Sequence, residues 1–499
     1  MKENAGTGGV ERSLEPETKP SLTSEPTRRN MSERKLQLVA GLGPWAAMAM
    51  VVGHIIGTGV FLVPSAMTRA TGSVGLVFLV WIVGGALSLF GALTIAELGA
   101  AMPEAGGAYV YLRRGLGPVW GFLFGWMNNL VGKPSSIATI AAGFLIFLGF
   151  FVPALRTPIF TLHLHVPFTA RALEFVFTWA QPVAAAAIAF MSFINYLGVR
   201  LAGRLQVVLT ALKIGAILAV VVLGFLFAGK RAPSAQPLFP HSLNVGLLSG
   251  FLTAMVGALW AYDGWMDLTF AGSEIINPQK NIPRALVGGT ITVGVIYLLA
   301  NAVYFRVLPI EAVAAAQNVA SETVRVFAGA RAAAWVTAAM VVSAFTTLNS
   351  SVLTGSRVPY AMARDGLFFR VADGIHSRYR TPAGAIVFQA VISCLMVLTG
   401  QFEDLFSLFI FAQWIFYALA VGSVYGSRRK EPDLPRPYRT WGYPVVPGIF
   451  VTGGFALTVN LWLQRPGRST IGLLLILAGL PFYRHWTRSE SSAHSATQD

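Results

Sequence analysis

Apolar residues fall along this chain in long blocks separated by short polar joints. A helix needs about 20 predominantly apolar residues to cross the hydrocarbon of a bilayer. Twelve blocks of roughly that length can be placed, at 37–66, 75–101, 119–151, 180–197, 203–228, 247–273, 284–308, 332–360, 383–400, 404–426, 443–463 and 468–485. The joints carry turn residues, among them Met102-Pro103-Glu104-Ala105-Gly106-Gly107, Asn277-Pro278 and Thr381-Pro382. The ten-residue alternation of a membrane β-barrel is missing from the pattern. The expected fold class is therefore an all-α integral membrane protein with 12 transmembrane helices. Residues 1–35, rich in Ser, Glu, Pro, Thr and Gly without an apolar run, read as a disordered cytoplasmic tail rather than a signal peptide. A transmembrane domain follows over 36–485, then a second cytoplasmic tail over 486–499. Two joints are longer. Residues 152–179 carry His163 and His165 and are expected to fold partly onto the membrane, and 309–330 reads as a short amphipathic helix in the interface.

Composition agrees with the pattern. Charged residues make up 12% of the 499 positions, about half the share in a soluble domain, and the mean hydropathy is +0.61. The net charge of +15 does not point to nucleic acid, because the basic residues lie mostly in joints and tails, where they face anionic lipid and set topology. With an even number of spans both ends share one side. Lys and Arg in the joints and tails of that side outnumber those opposite by twenty-four to ten, which puts both termini in the cytoplasm of a multi-pass cell-membrane protein. The single cysteine, Cys394, falls inside a predicted helix and supports no disulfide. His163-x-His165 lacks a nearby Cys or carboxylate and makes a poor metal site. No metal, cofactor or nucleophile–base pair is expected, so an enzyme is disfavoured.

The first block holds His54-Ile55-Ile56-Gly57-Thr58-Gly59-Val60-Phe61. Two glycines within three residues are poor helix formers, and a backbone group left unpaired at membrane depth costs several kcal/mol. The stretch admits two readings, an interrupted helix whose free backbone groups bind a polar solute, or a notch of small residues for helix packing. The sixth block repeats the feature in Trp260-Ala261-Tyr262-Asp263-Gly264-Trp265-Met266-Asp267. Interruptions at matching places in two halves point to an inverted-repeat transporter with a midplane site. Half-helix N-termini offer amides to a carboxylate, and C-terminal ends offer carbonyls to an ammonium. A solute carrying both groups on adjacent atoms is an α-amino acid. Gly57 and Gly59 let the backbone approach its carboxylate, and Asp263-Gly264 resembles the N-cap of a new half-helix.

These stretches, with Glu97-Leu98-Gly99, Gly106-Gly107-Ala108-Tyr109, Asn277-Pro278-Gln279-Lys280-Asn281-Ile282-Pro283 and Arg364-Asp365-Gly366, resemble the amino acid–polyamine–organocation superfamily. The likeness covers roughly 36–485 and is closest to the L-type amino acid transporter branch and bacterial serine/threonine exchangers. The resemblance implies a LeuT-type 5+5 inverted repeat with helices 1 and 6 broken. It implies that the amides of Thr58 and Gly59 hold the substrate carboxylate, that the carbonyls of Ile55, Trp260 and Asp263 take its ammonium, and that Trp260 is an outer gate. Position 263 is glycine in several animal relatives, so Asp263 either neutralises a cationic group or caps its half-helix. His54 is either a proton-sensitive group or a hydrogen-bonded packing residue.

Two lysines fall inside blocks. Lys213 is too central to snorkel. The resemblance implies that its amine takes the place of sodium between helices 1 and 8, a mark of sodium-independent members. Lys133 is expected either to reach a substrate side chain or to pair with Asp263 or Asp267, and Lys213→Ala is expected to impair transport or its sidedness far more than Lys133→Ala. The expected function is a sodium-independent permease or exchanger of neutral α-amino acids, working by alternating access. The alternatives are a proton-coupled symporter of cationic amino acids or amines, and a non-transporting sensor. A disulfide-linked heavy subunit of the animal type is not expected.

Overall fold

The computed structural model describes residues 38–165, 172–227, 238–239, 245–399 and 402–495; the expected N-terminal tail lies outside them. The first span is two helices, α1 (Pro44–Ile55) and α2 (Gly59–Thr71), followed by α3 (Val74–Ala101) and a short α4 (Ala108–Gly115). The third span runs as α5 (Pro118–Met127), a π-helical turn (Asn128–Gly132) and α6 (Lys133–Phe151). Pro134 has no amide to return to Leu130, and the wider turn absorbs that break just before Lys133. A hairpin, β1 (Pro158–His165) with β2 (Ala172–Thr178), pairs antiparallel, with His163 opposite Glu174. The loop expected to lie on the membrane is thus largely strand, because its alternating Phe, Leu and Val suit a two-stranded ribbon.

Helices α7 (Ala180–Tyr196), α8 (Val199–Phe227) and α9 (Val245–Ala261) come next. The sixth block was expected to be one broken span to 273, but after Ala261 it continues as turns and short 3-10 segments, Asp267–Phe270 and Gly272–Glu274. Helix α10 (Pro278–Val307) leads to a short α11 (Ile310–Ala315) and then to α12 (Val319–Gly355). The interfacial helix expected over 309–330 is therefore divided, and its second part belongs to the long helix, kinked at Gly329 (φ 81°). The chain ends with α13 (Arg357–Arg364), α14 (Ala383–Thr399), α15 (Phe402–Lys430), α16 (Val445–Gln464), α17 (Pro466–Leu477) and α18 (Gly479–Ser495). Helix α18 crosses the boundary expected at 486.

Among the described residues, eight helical stretches are long and apolar enough to cross a bilayer. Three further apolar helices, Ala180–Tyr196, Gly246–Ala261 and Ala383–Thr399, are shorter, and block 468–485 is divided between α17 and α18. The fold is a helical multi-pass membrane protein in which α1 packs on α8, α10 and α12, and α2 packs on α9.

Buried ion pairs tie one end of this bundle together. The Arg357 guanidinium, fully buried, forks onto Glu274 at 2.6 and 3.0 Å and also reaches the Leu353 carbonyl. The Glu274 carbonyl accepts the amides of Gly41 and Leu42, and Leu42 returns its own carbonyl to Ile276. The approach to α1 is thereby stitched to the segment beyond the sixth-span break. Glu97, also fully buried, takes Arg428 at 2.9 and 2.7 Å and the Thr440 amide at 2.7 Å, with Arg436 at 3.3 Å. Charges this deep persist only when each is paired and hydrogen-bonded.

Candidate functional site

The break between α1 and α2 has a local and a tertiary cause. Gly57 and Gly59 weaken the helix, and neighbouring side chains take its carbonyls. Lys213, 1% exposed on α8, donates to Gly53 O at 2.8 Å, to Ile56 O, and to Ser343 O of α12 at 3.3 Å. Thr347 donates toward Gly53 O and Ile56 O at 3.2 and 3.3 Å, and Ser343 toward Ile56 O at 3.3 Å. The ammonium thus sits at a three-carbonyl junction of α1 and α12. On the far side of the break, among the described residues, the amides of Thr58, Gly59 and Val60 have no acceptor. They form the positive N-terminus of α2.

Helix α9 ends against that N-terminus. A Cβ on Gly59 would lie 2.8 Å from both Cα and Cβ of Ala261, so only glycine allows the two ends to meet. Gly264 has φ 100°, and a Cβ there would strike the His54 ring. Tyr297 of α10 reaches both halves, its hydroxyl lying 2.9 Å from Ile55 O and 2.8 Å from Ala261 O.

Of the residues singled out in the sequence, His54, Ile55, Gly57, Thr58, Gly59, Trp260 and Asp263 line one cavity, joined by Ser136, Ile140, Ala261 and Thr347. It leaves about 30 Å³ of room for water centres, space for about two waters. The site is therefore small in this conformation, with room for little more than water. Two of the proposed carbonyls already have partners. Ile55 O accepts Gly57 N–H at 2.8 Å as well as Tyr297, and Trp260 O accepts Asp263 N–H at 3.1 Å.

Asp263 does not cap a half-helix. Its carboxylate accepts Tyr417 Oη–H at 2.7 Å, because no α-helix follows to be capped. Lys133 and Asp267 do not line the cavity; they pair with each other, both buried. His54 Nε2 lies 3.1 Å from the same Asp267 carboxylate and 3.2 Å from Ser351 Oγ, while Nδ1 is 3.2 Å from Ser350 Oγ. These groups join α1, α6, α12 and the segment after α9 in one polar network. Sequence reasoning missed Tyr297 and Tyr417 as site residues. A lone tyrosine in an apolar block carries no pattern, and its role depends on the carbonyl or carboxylate brought to it. The Glu274–Arg357 pair has no sequence signal either, since 83 residues separate its members.

A family model described as "Amino acid permease" matches residues 42–480. The serine/threonine exchanger SteT of Bacillus subtilis (strain 168) is 30% identical over 454 residues, covering 90% of this chain and 98% of that one. The human b(0,+)-type amino acid transporter 1 is 31% identical over 478 residues, covering 94% and 91% of the two chains. The human large neutral amino acids transporter small subunit 2 is 31% identical over 453 residues, covering 89% and 79%.

Proposed function

The chain belongs to the amino acid permease family, and from that premise we propose that it is a sodium-independent permease or exchanger of neutral α-amino acids, working by alternating access. The observation that carries the reading is the row of unpaired amides at the start of α2, of which Thr58 and Gly59 line, with Asp263, one small cavity. Such an N-terminus suits a carboxylate. The Asp263 carboxylate and the Trp260 carbonyl suit an ammonium, while Ile55 O, already taken twice, is the weakest of the expected partners. Trp260 serves as the movable wall. Lys213 occupies the carbonyl junction of α1 and α12 where a coupling sodium would otherwise gather oxygens.

The reading extends to the fold: twelve membrane helices, the first (α1–α2) and sixth (α9 with the turns after it) broken, and helices 1–5 and 6–10 as inverted repeats. Both termini and the end stitched by Glu274–Arg357 face the cytoplasm, and the hairpin with α11 faces outward, following the charge bias of the joints. The name of one relative includes "small subunit". A disulfide-linked partner is not proposed here, because Cys394 lies within α14.

The test is counterflow. Proteoliposomes loaded with mixed unlabelled amino acids are expected to accumulate a labelled neutral amino acid equally with and without a sodium gradient. No counterflow by any amino acid, together with no thermal stabilisation, would sink the reading. A second reading, proton-coupled uptake of a cationic amino acid or amine, is favoured by one observation. The Asp263 carboxylate lines the cavity with a tyrosine hydroxyl and no cation bonded to it among the described residues. Uptake of labelled L-lysine driven by an imposed proton gradient would support it over the first.

A further inference from the structure

A larger groove opens on the hairpin face, about 650 Å³ in volume, lined by Leu62, Ser65, Arg69, Leu145, Arg156 and Gln181 among others. It is connected to the candidate site by two helices. On α2, Leu62, Ser65 and Arg69 follow Gly59 at helical spacing on one face, so Arg69 stands about 15 Å along the axis from Gly59. On α6, Ser136 and Ile140 line the small cavity, and Leu145 and Ile146 line the groove. The far wall is the stretch Ala315–Gln317 that follows α11.

The groove carries charge of one sign. Arg69 and Arg156, both exposed, line it, and no Asp or Glu does among the described residues. Arg69 spends one N–H on the Ala314 carbonyl at 2.6 Å, which ties α2 to the α11 segment and leaves its full charge in the groove. Arg156 makes no ion pair among the described residues. In the adjoining cavity, which shares Arg156, the acid Glu322 is already matched by Arg325 at 2.5 Å. A low-dielectric cleft lined by one sign of charge concentrates ligands of the other, and arginine's planar fork matches a carboxylate.

We infer that this groove is an outer waiting site for the substrate's carboxylate, held by Arg156 and Arg69 before it passes along α2 to the amides of Thr58 and Gly59. The inference rests on the transport reading above and narrows it: solutes with an available carboxylate and no net positive charge are favoured from the hairpin side. The site loads one face only, so it sets affinity for external substrate and leaves internal affinity alone.

The test is the sided kinetics of Arg156→Gln and Arg156→Glu in proteoliposomes of uniform orientation, using labelled L-serine, with L-glutamate and L-lysine as external competitors. One unit-charge contact at about 4 Å in water corresponds to about a fivefold change. Arg156→Gln is therefore expected to raise the external KM for L-serine about fivefold at low salt, and Arg156→Glu to raise it further. Internal KM and kcat are expected to hold, and the ratio to wild type to shrink at about 1 M salt, where the screening length is roughly 3 Å. External L-glutamate should lose potency as a competitor in Arg156→Glu, and L-lysine should gain it. Arg156→Lys, which keeps the charge without the fork, should lie between wild type and Arg156→Gln. An external KM equal to wild type, equal changes on both sides, or changes indifferent to salt would overturn the inference while leaving transport intact. A wild-type protein that moves no amino acid would overturn the functional reading itself.

Discussion

Lys213→Met isolates what the buried ammonium does, since methionine keeps most of its volume without its charge. The ammonium holds Gly53 O and Ile56 O of α1 against Ser343 O of α12. After the substitution, the two α1 carbonyls retain only the hydroxyls of Thr347 and Ser343, at 3.2 and 3.3 Å. Hydrogen bonds to charged groups contribute about 1.5–3 kcal/mol each. Relief of the burial of the charge works in the opposite direction, so the lower figure applies, and about 1.4 kcal/mol is tenfold in a conformational equilibrium. Exchange of a neutral amino acid in proteoliposomes is expected to fall about tenfold, without recovery when sodium replaces choline. Exchange within twofold of wild type would refute the argument, because α1 would then hold its place without the ammonium.

Further perturbations follow from the geometry. Gly59→Ala would drive a methyl into the Ala261 backbone at 2.8 Å, whereas Gly57→Ala meets nothing closer than Thr347 at 3.5 Å. The first is expected to abolish transport and lower thermal stability, the second to fold normally with a raised KM, as read by a fluorescence melt and uptake kinetics. Lys133→Ala leaves the buried Asp267 carboxylate without its lysine. Breaking a buried pair costs about 3–5 kcal/mol, so its melting temperature is expected to drop more than that of Lys213→Met. Glu274→Gln is expected to be similarly costly because Arg357 stays buried, and the double change Glu274→Gln with Arg357→Met to recover most of the loss in the same melt.

Several features are legible in the residues alone. The membrane class, the blocks and the two interruptions follow from hydropathy and from glycine, because bilayer thickness and backbone hydrogen bonding impose the same rules on any chain. The Gly57-Thr58-Gly59 run by itself announces a break, since the cause is partly local. Its function needs the partner that tertiary folding supplies: α9 ends against α2 because Gly59 and Ala261 fit, and the amides stay free because Lys213, Thr347 and Ser343 take the carbonyls on the other side of the break. The fate of each buried charge is decided there too. Lys133 finds Asp267 rather than the cavity, Asp263 finds Tyr417 rather than a helix end, and Glu274 finds Arg357. Sequence shows that a charge in an apolar block must have a partner, because the cost of desolvation is general. It does not show which partner, because that depends on which side chains, tens to hundreds of residues away, the fold brings within hydrogen-bonding reach.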